Sequence, residues 1–212
     1  MNPEDALLNY LYPRLVEALQ TWKGFDDIYG IWLFIGLADE YRSQTELMHA
    51  LVLRESVAYE REHSYGTRWA PGFLSRPDEE IRFRPFLCSA PWPPDAPDYD
   101  YMRNDTDIRD PGDPKGFRLR EAFFGEKNEQ RSDPNPQPHL EYLELLWFLD
   151  ICGQLIRRLH ADGTLEMFFG QAVPIGIFFN NDLPATLALP ITRDSNPPEF
   201  ADEMLDWLRG QG

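Results

Sequence analysis

The sequence predicts an α+β fold: a mixed or antiparallel sheet packed by about four helices, in a single domain spanning residues 1–212. Three observations predict it. Ile28–Leu37 (IYGIWLFIGL) is nearly all apolar and rich in β-branched and aromatic residues, as a central strand buried on both faces should be. Apolar residues recur at helical spacing in the first twenty residues and again after Pro138. Between them, residues 89–138 carry a Pro- and Asp-rich composition that excludes long regular elements.

Taken in order, Pro3, Glu4 and Asp5 suit the first turn of a helix that places Leu7, Leu8, Leu11, Leu15, Val16 and Leu19 at helical spacing and ends at Gly24. Pro13 either kinks this helix or opens a second one. After the apolar strand, Ser43 and Glu46 form a capping-box pattern ahead of Leu47, Met48, Leu51 and Val52. A helix to about Arg61 follows from that signal; the alternative is a second strand through Leu51-Val52-Leu53. Residues 62–79 read as loop. Ile81-Arg82-Phe83-Arg84 alternates apolar with basic, as a half-buried strand does.

Within residues 89–138, only Phe117–Phe124 suits a short helix or strand. Pro138 opens the clearest helix, with Leu143, Trp147, Ile151, Leu155 and Leu159 spaced by four, Leu140, Leu146 and Phe148 widening the stripe, and Gly163 as C-cap. Val173–Phe179 reads as a core strand. Asn180-Asn181-Asp182 then turns the chain into a hairpin partner over Leu183–Leu189, put on an edge by Pro184 and Pro190. Asn196-Pro197 caps a last helix carrying Phe200, Met204, Leu205 and Leu208.

Asp and Glu total 36 against 20 Lys and Arg, a formal charge of −16. A field of that sign repels phosphate backbones and anionic lipid and steers in basic partners. Neither nucleic acid nor a membrane surface is therefore an expected partner. Cys88 and Cys152 sit far apart in apolar surroundings and read as buried small hydrophobes. The N-terminus lacks the basic region of a signal peptide, and the longest apolar run, Ile28–Ala38, falls short of the roughly 20 residues that span a bilayer. A cytoplasmic location is expected.

No phosphate-cradling GxxxxGK[ST], no GxGxxG, no GxSxG elbow and no HExxH occurs. His160 reads as a surface histidine compensating the dipole of the long helix, and His139 as a surface residue of its first turn. His49 and His63 would need a carboxylate from elsewhere to hold a metal. Asp105-Thr106-Asp107 begins like a calcium loop, but Arg109 takes the third ligand position and no Glu closes it. No catalytic residue, metal or cofactor is expected.

The most distinctive local feature is acidic: Asp95, Asp98, Asp100, Asp105 and Asp107, interleaved with Trp92, Tyr99 and Tyr101. Aromatic anchors ringed by charge suit a protein–protein hot spot, so these eight residues are the expected contact surface for a basic protein. A plain solvated loop is the alternative. Arg76, Arg82 and Arg84 are expected to pair with this acidic stretch rather than to read phosphate.

The early strand Ile28–Phe34 after an N-terminal helix, Arg68-Trp69-Ala70-Pro71, the helix ending Leu159-His160-Ala161-Asp162-Gly163-Thr164-Leu165, and a closing strand before Asn196-Pro197 and a final helix are four short features spread over most of the chain. In these features it resembles a bacterial family of unknown function, some of whose members are encoded beside polymorphic toxin systems, where immunity proteins occur. Residues 89–138 depart from that pattern. The resemblance implies a small cytoplasmic binding protein and no catalytic residues.

The expected function is thus that of an immunity or antitoxin protein, which neutralises a basic toxin by covering its active site. One rival is a hydrolase using carboxylates from Asp105, Asp107 or Glu121. Another is a structural or scaffold subunit of a larger assembly.

Overall fold

The computed structural model describes residues 1–24, 28–39, 42–54, 81–88, 114–129, 140–179 and 185–210. In chain order these form α1 (Pro3–Gln20), β1 (Ile28–Asp39), β2 (Arg42–Arg54), β3 (Ile81–Cys88), α2 (Pro114–Glu129), α3 (Leu140–Ala161), α4 (Thr164–Phe169), β4 (Ile175–Phe179), α5 (Ala185–Ser195) and α6 (Pro198–Gly210). The fold is mixed α+β, with six helices among the described residues where about four were expected.

The strands form one sheet in the order β3-β2-β1-β4. β1 pairs antiparallel with β2, β2 antiparallel with β3, and β4 runs parallel to β1, so the sheet is mixed. β1 takes the interior place that its composition predicts. Its alternate residues Ile31, Leu33 and Ile35 enter the main core. On the opposite face Trp32 and Phe34 are only 6% and 5% exposed, so both faces are buried. β3 is an edge strand, and its Pro85 pairs with His49 where the register shifts, a place that tolerates a missing N–H.

Three sequence expectations give way here. The helix predicted from Ser43 and Glu46 is β2, paired along both sides; residues 55–61 lie outside the described residues. A capping box stabilises one helical turn locally, whereas β1 needs a hydrogen-bonding neighbour along most of its length, and tertiary pairing wins. The hairpin strand predicted over Leu183–Leu189 is instead helical from Ala185, part of α5, and β4 pairs parallel with β1. A short apolar run does not by itself distinguish a buried strand from a buried helix. The short element expected at Phe117–Phe124 is the middle of the longer helix α2.

α1 begins as its first residues dictate. Asn2 has extended backbone and its side-chain oxygen accepts the Asp5 N–H at 2.6 Å, while Pro3 fills the first helical position. Leu7, Leu11, Leu15 and Leu19 form a fully buried stripe. Pro13 neither ends α1 nor opens another helix; it lies on the exposed side of one continuous helix. Phe123 and Phe124 of α2 pack into the core, and Lys115 of α2 and Arg14 of α1 both sit over the Tyr10 ring, at 4.9 and 5.3 Å from its centroid.

α3 supplies the largest helical share of the core through Phe148, Leu149, Ile151, Cys152, Leu155, Ile156 and Leu159. The predicted stripe holds at Ile151, Leu155 and Leu159, but Leu146 lies outside it and is 37% exposed. Cys152 is the buried small hydrophobe expected of it, and burial pushes its thiol pKa well up. Gly163 has φ +69°, the left-handed conformation that lets the chain leave α3 and enter α4 within two residues.

Two glycines generate opposite predictions. A Cβ on Gly176 of β4 would lie 2.5 Å from the ring of buried Trp32, its register partner on β1. Gly176→Ala should lower stability by about 1–3 kcal/mol. Gly125, in α2, has open space where a Cβ would go, so Gly125→Ala should raise stability by about 0.5–1 kcal/mol. Urea midpoints of the two variants shifting in the same direction would contradict this packing.

Candidate functional site

α1 and α3 run side by side in the same direction. Gln154, in the second half of α3, donates to Glu4 in the first turn of α1 at 2.8 Å, and Tyr12, further along α1, meets Asp162 just past the end of α3, both contacts linking residues 150 positions apart. Gln154 also donates to Asp150 at 2.9 Å, and Lys127 of α2 reaches Glu4 at 2.9 Å. The Gln154 hydrogen bond, and then that of Lys127, hold the Glu4 carboxyl below its ordinary range.

At the far end, Tyr12 donates its hydroxyl proton to Asp162 Oδ2, and Thr164 donates its own to Asp162 Oδ1 at 2.8 Å. One carboxylate thus receives both hydroxyls, and the two hydroxyl oxygens lie 3.2 Å apart. The Arg158 guanidinium lies 3.9 Å from the centroid of the Tyr12 ring. Burial, reinforced by the hydrogen bond to Asp162, raises the Tyr12 pKa above its usual value. The phenol is therefore a held donor, not an activated nucleophile.

Between these ends opens a cleft of about 460 Å³ with Leu8 and Leu155 at its apolar part and Asp5, Asn9, Gln154, Arg157 and Arg158 around it. Its cations are already engaged. Arg157 donates to Ser195 at 3.1 Å and lies 3.7 Å from Asp150, and Arg158 covers Tyr12. The cleft brings together mixed polar groups and no convergent pair of buried acids. Among the described residues no cluster of three or more His, Cys, Asp or Glu could hold a metal ion.

In comparisons with family models, with curated proteins and with solved structures, the chain finds no match.

The expected contact residues Trp92, Asp95, Asp98, Tyr99, Asp100, Tyr101, Asp105 and Asp107 lie outside the described residues, as do Arg76, His63 and His139. Arg82 and Arg84 stand on β3 opposite Val52 and Ala50. Glu121, offered as a hydrolytic carboxylate, is exposed on α2 and bridges its neighbour Arg120 at 3.0 Å.

Two residues near the end of the chain differ from their sequence reading. Asn196 directs its side chain away from α6, to the backbone of Ile175 and Thr192. The first turn of α6 rests instead on the Pro197 carbonyl, which accepts from the Phe200 and Ala201 N–H groups. His160 is half-buried rather than a surface residue, 3.2 Å from Asn196 Oδ1, and burial lowers its pKa. A helix-end histidine and an Asn-Pro pair each have a common local use, and nothing adjacent in sequence signals that these two meet.

Tyr12→Phe should cost about 1–2 kcal/mol, because it removes a buried donor while leaving the Asp162 carboxylate in place. In a double-mutant cycle with Asp162→Asn, denaturation should give a coupling energy distinguishable from zero; strict additivity would mean the contact carries no stability.

Proposed function

We propose that this chain is a binding protein of the immunity or antitoxin type, which neutralises a basic toxin by covering its active site with a carboxylate-rich surface. The observation that carries this reading is a surplus of carboxylates that remains after every Lys and Arg is counted. Arg14, Lys23, Lys115 and Arg158 lie over aromatic rings. Lys127, Arg157 and Arg193 already face carboxylates within the chain. Exposed acids at Glu17, Glu166, Glu199 and Asp202 add to the run of aspartates from Asp95 to Asp107. With a net charge of −16, the field outside the molecule favours a cationic protein over nucleic acid or anionic lipid. No helix among the described residues is long and apolar enough to cross a membrane.

Trp92, Tyr99 and Tyr101 supply the apolar anchors that a charged surface lacks, and the carboxylates around them supply orientation and rate. The resemblance to a family encoded in part beside toxin systems agrees with this division of labour. Against a nuclease, such a surface would occupy the groove that otherwise receives phosphates.

The test is association kinetics with the purified product of a neighbouring toxin-like gene. The association rate should fall by at least about tenfold from low to high salt. Asp95→Asn, Asp98→Asn and Asp100→Asn together should lower the rate at low salt while leaving the melting temperature unchanged. Equal rates for the triple variant and the natural chain would remove the acidic stretch from recognition.

A further inference from the structure

We propose that His160 and Asn196 form an acid-sensitive latch that fastens the turn between α5 and α6 to the outer edge of β4. Among the described residues β4 ends the sheet, with β1 on one side only. On that inner side the Pro174 carbonyl accepts the Ile31 N–H at 3.0 Å. The next residue, Ile175, turns its N–H and C=O the other way, to the open edge. Both are met by one side chain. Asn196 Oδ1 accepts the Ile175 N–H at 2.9 Å, and Asn196 Nδ2 donates to the Ile175 carbonyl at 2.8 Å, the two bonds a neighbouring strand would make. The second Nδ2 proton goes to the Thr192 carbonyl at 2.7 Å.

These three bonds fix the amide orientation: flipping it would set N–H against N–H and oxygen against two carbonyls. Oδ1 is therefore an acceptor, and His160 Nε2, 3.2 Å away, must donate to it. In the neutral ring Nδ1 is then the unprotonated nitrogen. It is buried and has no hydrogen-bond partner among the described residues. The Phe200 ring lies 6.3 Å away on the α6 side.

A second proton has to land on that nitrogen, where nothing accepts it. The charged groups facing the ring are Glu166 from α4 and Glu199 from α6, and both favour the cation, as does Asn196; burial opposes it and outweighs all three. The charged ring regains hydration by swinging outward, and Nε2 then leaves Asn196. The folded form thus takes the proton less readily than the unfolded chain. Stability is full above the ordinary histidine value of 6.5 and declines as pH falls through it towards the lower folded value.

The experiment is NMR of the intact natural chain, titrated from about pH 8 to about pH 5. The ring nitrogens should report the Nε2–H tautomer at the upper end and a His160 midpoint below 6.5. The Asn196 side-chain amide and the Ile175 N–H should shift with that same midpoint. In parallel, His160→Gln, whose amide can still donate to Asn196 but does not titrate, should lose less melting temperature on acidification than the natural chain; the carboxylates titrate in both and cancel. Asn196 and Ile175 signals that stay fixed while His160 titrates, or a midpoint at or above the ordinary value, would overturn the latch.

Discussion

Over Gly30–Ile35 β1 has no solvent-facing side, and the rest of the molecule is arranged to supply what it lacks. Its backbone needs partners along both edges, and β2 and β4 provide them. Ile31, Leu33 and Ile35 need an apolar cover, and α1 and α3 provide it with stripes of leucine and isoleucine. Trp32 on the opposite face needs room above β4, and Gly176 leaves it. Each neighbour is thus selected for what it does to β1 more than for its own propensity. A segment with a helix-start signal can become a strand for that reason.

How far the fold is legible in the sequence follows from the same division. Elements defined by a long pattern read correctly. α1 carries its leucines at helical spacing from Leu7 to Leu19, α3 has a comparable apolar stripe, and the composition of β1 places it in the interior. The strands at Ile81–Arg84 and Val173–Phe179 also read correctly, as parts of β3 and β4, and so does the alternative strand through Leu51-Val52-Leu53, as part of β2. Elements inferred from a short local signal do not: the capping box at Ser43 and Glu46 points to a helix where β2 forms, and the Asn-Asn-Asp turn points to a strand where α5 begins at Ala185. The contacts at the α1–α3 seam were not legible at all. Tyr12, Asp162 and Thr164 are ordinary residues in ordinary local contexts, and only the parallel packing of two distant helices brings them together.

The electrostatics repeat this theme of engagement within the chain. Most described cations touch a ring or a carboxylate, some of them through one partially exposed contact that contributes little to stability. Their larger effect is on the external field. A guanidinium stacked on Tyr12 or an ammonium on Tyr10 has a fixed place, and the excess carboxylates set the sign of the field that the molecule presents at a distance. Stability resides in the apolar core, so substitutions at exposed acids should leave the fold intact.

The pairing of residue 12 with residue 162 also bears on how the polypeptide is made. The first helix and the central strand emerge from the ribosome early, yet Asp162 and Ile175 lie near the other end. At about 5–20 residues per second, roughly eight to thirty seconds of translation separate the two halves of that seam. During that interval the leucine stripe of α1 and the apolar strand behind it have no native cover from the C-terminal third.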